Sequence, residues 1–126
     1  QLVAEARRML RDPKSQALAE NFAGQWLQLR KLAVVQPDKE RMRGFDEELR
    51  ASMAAESRMF FSHVVRNDRS VLEFLDADYT FLNGRLARHY GIPGVEGDEM
   101  WWVALDDVQR RQRGGLLGQG SILTLT

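Results

Sequence analysis

The chain has 126 residues, a common size for one domain, and 44% of them are hydrophobic. Its 18 basic and 18 acidic side chains balance, so no general electrostatic field would attract nucleic acid or an anionic membrane. The lack of cysteine excludes disulfides, thiolate zinc sites, iron–sulfur ligation and covalent c-type haem within this segment. The sequence contains neither an apolar run long enough to cross a membrane nor a recognisable signal peptide.

The first half of the chain has the periodicity of amphipathic helices. Asp12-Pro13 is typical of a helix start, because aspartate accepts hydrogen bonds from the first amides and proline suits the first helical position. Apolar side chains then recur at helical spacing, which predicts a helix over residues 13–31. A second helix is predicted over residues 46–66. There, acidic residues at the start are followed by an apolar stripe of Leu49, Met53, Phe60, Phe61 and Val64.

The second half of the chain is predicted to contain shorter elements. Ser70 followed three residues later by Glu73 is a capping box and predicts a short helix. A further helix is expected to end at Gly91, and it would carry Phe81, Leu82, Leu86 and Tyr90. Residues 100–105 are apolar and aromatic and predict a strand. Residues 116–126 are compatible with either helix or strand, because their glycines weaken both.

These elements predict an all-α or nearly all-α fold. We expect a compact, mainly antiparallel bundle of four to six helices with a short extended segment near residues 100–105. The helical pattern begins with the first residues, and the chain stops inside the apolar run of residues 121–126. We therefore expect residues 1–126 to be a single helical domain excised from a longer multidomain chain.

The two histidines, His63 and His89, are the first candidates for chemistry. Glu56 precedes His63 by seven residues and should lie on the same helix face. Such a pair could transfer protons or contribute to a metal site. A pair on the helix surface, or a hydrogen-bonded histidine at the edge of the core, is the more ordinary interpretation. The sequence shows no cluster with the three or four ligands of a zinc site.

Asp76 and Asp78 are the second candidates, as weak catalytic or oxygen-ligand residues. The spacing of a calcium loop is absent around them. We expect them to cap the helix that follows, and they could also pair with Arg69 or Arg85.

Two other features favour structural interpretations. The glycine-rich run of residues 114–120 follows three arginines but lacks the spacing of a phosphate-binding loop, so it predicts a loop that lets backbone segments pack closely. An anion site on those arginines is the alternative. Trp101 and Trp102 are adjacent, so on a strand they should face opposite sides. The exposed one could stack on a sugar or a partner protein, or mark a surface covered by a neighbouring domain, which is the interpretation favoured here.

The motifs resemble those of the domain of unknown function 1592. The resemblance covers nearly the whole chain and is carried by Glu20–Arg30, Asp68–Val71, Leu75–Asn83, Arg85–Pro93 and Arg113–Thr124. It implies a setting in large, exported, cytochrome-associated proteins of planctomycetes and some other bacteria. The c-type haem would then lie elsewhere in the parent chain, and no cofactor or metal is expected in this segment. The family offers no established catalytic residues to transfer.

Three hypotheses about function follow. The first is a non-catalytic structural or docking module of an extracytoplasmic, cytochrome-c-bearing protein, with neighbouring domains of the parent chain as its partners. The second is a part of an enzyme active site, oxidative or hydrolytic on a polymer, that uses Asp76, Asp78, His63 and His89. The third is binding of a metal or a non-covalent haem through His63 or His89.

Overall fold

The structure is a computed structural model that describes all 126 residues. We number seven helices, α1 (Leu2–Arg11), α2 (residues 13–26), α3 (Leu29–Leu32), α4 (Glu47–Arg66), α5 (Gly84–Tyr90), α6 (Asp107–Arg113) and α7 (Gly120–Leu125). Two strands, β1 (Tyr79–Leu82) and β2 (Trp101–Ala104), and two 3₁₀ turns, Val71–Phe74 and Leu116–Gly118, complete the fold. No helix is both long and apolar enough to cross a membrane.

The helix start at Asp12 is confirmed, but the long helix expected over residues 13–31 is interrupted. The Asp12 side chain accepts a hydrogen bond from the Lys14 amide, and α2 then includes a π-helical turn at Ala19–Ala23. Gln28 adopts a left-handed conformation with φ of 55°, which ends α2 and starts α3. Because of this break, the apolar residues of the segment stay in contact with the core, whereas a straight helix of this length would extend away from it.

Helix α4 is the centre of the molecule, and its prediction is confirmed almost to the residue. Asp46 caps it by accepting a hydrogen bond from the Leu49 amide at 2.8 Å. Nine of its 20 residues are buried, including the polar Ser52, Glu56 and Ser57. Burial of polar side chains in the middle of a helix requires partners on the elements packed against it.

The prediction of an all-α bundle of four to six helices is wrong, because the fold contains seven helices and a two-stranded antiparallel sheet. The strand expected near residue 100 is present as β2, and it pairs with β1 in the register Tyr79↔Ala104 to Leu82↔Trp101. β1 occupies the start of what was expected to be one helix, so that helix, α5, begins only after its cap Asn83. All four residues of β1 are buried. A strand buried on both faces lacks the alternation of exposed and buried residues, so hydrophobic periodicity does not distinguish it from a helix.

Residues 114–126, the C-terminal segment, contain the second 3₁₀ turn and α7 and pack on α3 and α4. The core has two parts. One is an aromatic cluster in which Phe60 stacks on Tyr79 and Phe61 on Phe74, with ring centroids 5.3 and 5.5 Å apart. The other is aliphatic and joins α3, α4, β1 and α5 through Leu32, Leu49, Met53, Leu82 and Leu86. The C-terminal segment contributes to both parts through Leu116, Ile122 and Leu125.

Candidate functional site

The two histidines lie on different helices and share no contact. His63, on α4, packs edge-on against the rings of Tyr79 and Phe81, at centroid distances of 5.3 and 5.4 Å. Partial burial lowers its pKa, and the charge of Arg69 adds to this effect. His89, on α5, is also partly buried, which together with the charges of Arg113 and Arg85 lowers its pKa. Both imidazoles are therefore biased toward the neutral form.

Asp76 and Asp78 do not cap a helix, because a strand follows them. Asp76 is exposed and binds the Arg110 guanidinium, with Nε to Oδ1 at 2.8 Å. This hydrogen bond holds the pKa of Asp76 below its usual value. Asp78 is exposed too, and its backbone carbonyl accepts a bond from the Leu105 amide at 2.7 Å. The expected pairing with an arginine is formed by Asp76, but with Arg110 instead of Arg69 or Arg85.

The structure therefore does not gather the four predicted site residues into one cleft. No group of three or more histidine, aspartate or glutamate side chains is placed to hold a metal ion. The proposed couple of Glu56 and His63 is also not formed. His63 Nδ1 instead lies 3.3 Å from the Asn67 amide nitrogen, while Glu56 faces the interior.

Glu56 is the centre of a buried hydrogen-bonded network, which we call the Glu56 network: Glu56, Thr80, Tyr90 and Gly120. The Thr80 hydroxyl donates to Oε1 of Glu56 at 2.6 Å, and the Tyr90 hydroxyl donates to Oε2 at 2.5 Å. The Gly120 amide in turn donates to the Tyr90 oxygen at 2.6 Å. One carboxyl group thus connects α4 to β1, to α5 and, through Tyr90, to the C-terminal segment.

The electrostatics of this network are set by burial. Glu56 has no exposed surface, and desolvation raises its pKa from 4.5 to about 7. The hydrogen bonds from Thr80 and Tyr90 and the charge of Arg113 oppose that rise without cancelling it. The Arg113 guanidinium lies 4.1 Å above the centre of the Tyr90 ring, so it also packs on the network's outer side. A carboxyl with no exposed surface cannot contact a substrate, so the arrangement suits a structural connection.

A second set of buried polar contacts lies one residue further along α4. The Ser57 hydroxyl lies 2.7 Å from Oε1 of Gln119 and contacts the Ser121 hydroxyl. All three residues are fully buried. The Nε2 atom of Gln119 is buried and has no hydrogen-bond partner within the protein. The inner side of the C-terminal segment is therefore held to α4 by polar groups.

The outer side of the same segment forms one wall of an open groove of about 420 Å³, here called the apolar groove. The end of α2 and the residues Phe74 and Leu75 complete the groove. The groove is lined by Trp26, Leu27, Gln28, Phe74, Leu75, Leu116, Leu117, Ile122, Leu125 and Thr126. Trp26 is 53% exposed, and Leu75 and Leu117 are each 65% exposed. Because no side chain in this lining is ionisable, the groove is suited to apolar contact and not to acid–base chemistry.

The close approach expected of the glycine-rich run is confirmed. A Cβ atom on Gly115 would lie 2.6 Å from the Leu75 carbonyl carbon, and one on Gly120 would lie 2.9 Å from the Tyr90 hydroxyl. In the sequence, these glycines indicate that the C-terminal segment packs closely against other parts of the protein. Glu56 was noticed in the sequence, but its partners Thr80 and Tyr90 are 24 and 34 residues away and gave no local signal.

The first 92 residues of the chain match a known protein family. The model of the family described as PSD4, Protein of unknown function (DUF1592), matches residues 1–92. The match covers α1 through α5 and stops before β2 and the C-terminal segment. No curated protein and no solved structure matches the chain.

Proposed function

This chain belongs to the family of proteins of unknown function DUF1592, and we propose that it is a non-catalytic docking domain. Its apolar groove would receive an apolar surface of a neighbouring domain in the same polypeptide. The setting would be the one that the resemblance implies, an extracytoplasmic protein with a c-type cytochrome segment elsewhere. The observation that carries the proposal is the groove itself, with Trp26, Leu75 and Leu117 all more than half exposed.

The composition of the groove supports a protein surface as its occupant. Eight of its ten lining residues are hydrophobic. Contiguous exposed apolar surface of this kind is costly in water and usually marks a contact with another protein surface. Trp26, once a partner covers its exposed part, would supply much of the binding energy, as large aromatic side chains at the centre of interfaces often do.

The position of the groove favours a partner in the same polypeptide. Leu125 and Thr126 belong to its lining. Any polypeptide that continues beyond Thr126 would therefore start at the groove's edge and reach it at a high effective concentration. Even a modest apolar contact would then be well populated.

The catalytic and haem-binding alternatives gain no support from the arrangement of side chains. His63, His89, Asp76 and Asp78 contact different partners, and the raised pKa of Glu56 belongs to a fully buried group. Glu56 therefore fits the task of holding the groove's wall in place.

Hydroxyl-radical footprinting of this chain and of the longer parent polypeptide would test the proposal. Labelling of Trp26 and Leu117 should fall severalfold in the parent, because the partner covers both side chains. Leu117→Glu in the parent should restore the labelling of Trp26. Val34→Glu is the matched control, since Val34 is 76% exposed and lies outside the groove. Equal labelling of Trp26 in the short chain and the parent would contradict the proposal.

A further inference from the structure

A second groove, which we call the basic groove, lies on the opposite face of α4 from the C-terminal segment. It has a volume of about 400 Å³. The last turns of α1 and α4 contribute Arg11, Ser62, His63, Arg66 and Asn67. Met59 and Phe81 complete it with apolar surface. Its lining contains no acidic side chain.

The two arginines of this groove have no partner within the protein. Neither Arg11 nor Arg66 makes an ion pair or a side-chain hydrogen bond. The acidic residues nearby are already engaged. Asp68 pairs with Arg7 at 3.3 Å, and Glu73 binds Arg69 at 2.7 Å. In a chain of zero net charge, two unpaired guanidinium groups therefore face one concave surface.

From this arrangement we propose that the basic groove binds a tetrahedral oxyanion, a phosphate or sulfate group, between Arg11 and Arg66. A guanidinium fork uses two acceptor oxygens. On a single carboxylate, two forks would have to share the same two oxygens, whereas phosphate and sulfate present separate oxygens to each fork. Ser62 adds a neutral hydroxyl donor to the same groove. The Asn67 amide nitrogen is already engaged, because it donates to the His63 carbonyl at 2.9 Å.

His63 also lines the groove, and its imidazole, which is biased toward the neutral form in the free protein, would become a third cationic donor on protonation. The side-chain amide of Asn67 lies beside its Nδ1 atom at 3.3 Å, and the ring edge contacts Tyr79 and Phe81. The charged groups around it are Arg69, which lowers its pKa, and Glu73, which raises it, together with Arg11 and Arg66 of the groove. A bound dianion would favour the protonated imidazole and raise the pKa of His63.

The site is independent of the docking proposal, because none of its residues lines the apolar groove. A purely structural role for the arginines is the alternative. Both stand in the last turn of a helix, where a positive charge offsets the partial negative charge of the helix end. The two roles differ in whether an anion binds.

The test is a titration of the ¹⁵N-labelled chain with inorganic sulfate and, separately, inorganic phosphate at constant ionic strength. The backbone amides of residues 62–67 should shift saturably with either anion. Arg66→Gln and Arg11→Gln should each weaken binding about tenfold, as expected for loss of one charged hydrogen-bonding partner. Arg58→Gln removes the same charge from α4 but lies in a different groove, so it should leave the affinity unchanged.

A second measurement compares the pKa values of His63 and His89 in the same sample, with His89 as the control. Saturation with sulfate, which does not itself titrate near neutral pH, should raise the pKa of His63 and leave that of His89 unchanged. Unsaturable shifts, equal weakening by Arg58→Gln, or equal movement of both histidines would overturn the proposal. Lower thermal stability of Arg66→Gln without any saturable binding would establish the helix-end role instead.

Discussion

The inner and outer sides of the C-terminal segment have opposite character. On the inner side, Gln119 and Ser121 contact Ser57, and the Gly120 amide binds Tyr90. On the outer side, Leu117 remains 65% exposed at the apolar groove. Leu116 of the same segment is buried in the core, but these polar contacts inside and the exposed Leu117 outside depart from the usual arrangement of apolar groups inside and polar groups outside. Directional hydrogen bonds fix the position of the segment, so some of its apolar side chains remain available for a partner.

The largest expected effect on stability comes from removing the Glu56 carboxyl group, the hydrogen-bond acceptor at the centre of the Glu56 network. Glu56→Ala would leave the buried hydroxyls of Thr80 and Tyr90 without their acceptor and would open a cavity. We expect the free energy of unfolding to fall by about 3–5 kcal/mol, as measured by urea denaturation at pH 6. Glu40→Ala, on the exposed loop before α4, is the control and should change stability by less than about 0.5 kcal/mol. Equal effects of the two substitutions would mean that the Glu56 network does not hold the inner side.

The second prediction concerns pH. Because the pKa of Glu56 is raised from 4.5 to about 7, the folded state binds its proton more tightly than the unfolded state. The resulting stability is fully present below pH 4.5 and is lost as the pH rises through about 7. By linkage the loss is about 3 kcal/mol.

Glu56→Gln isolates this contribution, because glutamine does not titrate. The difference in unfolding free energy between the wild-type chain and Glu56→Gln should change steadily between pH 4.5 and pH 7.5. Both proteins contain His63 and His89, so the difference removes the contribution of these histidines to the pH dependence. Because their pKa values are lowered, that contribution makes stability rise with pH, opposite to the contribution of Glu56. A difference independent of pH would show that Glu56 titrates as it does in the unfolded chain.

The third prediction concerns how closely Gly120 packs against Tyr90 and Met53. A Cβ atom on Gly120 would lie 2.9 Å from the Tyr90 hydroxyl and 3.0 Å from Met53 Cε. Gly120→Ala should therefore destabilise the fold by about 1–3 kcal/mol through overpacking. Gly24→Ala is the matched control, because no atom lies within 4 Å of its added Cβ and its backbone is helical. Calorimetry should show a lower melting temperature for Gly120→Ala and an equal or higher one for Gly24→Ala.

The smallest expected effect on stability is on the outer side. Leu117→Ala should change the unfolding free energy by less than about 0.5 kcal/mol, because the side chain is largely exposed. The same substitution should weaken protection of Trp26 in the parent polypeptide. A loss of stability as large as that of Gly120→Ala would show instead that Leu117 belongs to the core of this domain.

Local signals in the sequence predicted the local features of the fold. The cap at Asp12 and the left-handed Gly91 involve residues within a few positions of one another, and both are formed as expected. Ser70 also caps its turn, by accepting a hydrogen bond from the Leu72 amide, but the capping box expected with Glu73 is not formed, because the Glu73 carboxylate binds Arg69 and Tyr79. The hydrogen bonds of such caps depend on residue type alone, which a single sequence displays.

The features that sequence did not predict depend on distant pairing. The pairing of β1 with β2 joins residues more than 18 positions apart, and an apolar strand buried on both faces resembles a buried helix. The Asp76 pair with Arg110 spans 34 positions. The same limit hid the Glu56 network, since only the fold shows that Thr80 and Tyr90 face one carboxyl group.

The antiparallel pairing of the two strands sets a limit on where the polypeptide can be cut. The family match ends at residue 92, yet β1 finds its only partner strand at Trp101–Ala104. A chain that stopped at residue 92 would leave β1 as a bare sheet edge and would uncover Tyr79 and Leu82, which are now fully buried. Unpaired apolar edges of this kind recruit strands from other molecules. Such a truncation would therefore tend to aggregate, and we expect the smallest unit that folds alone to extend past residue 92, where the family match ends.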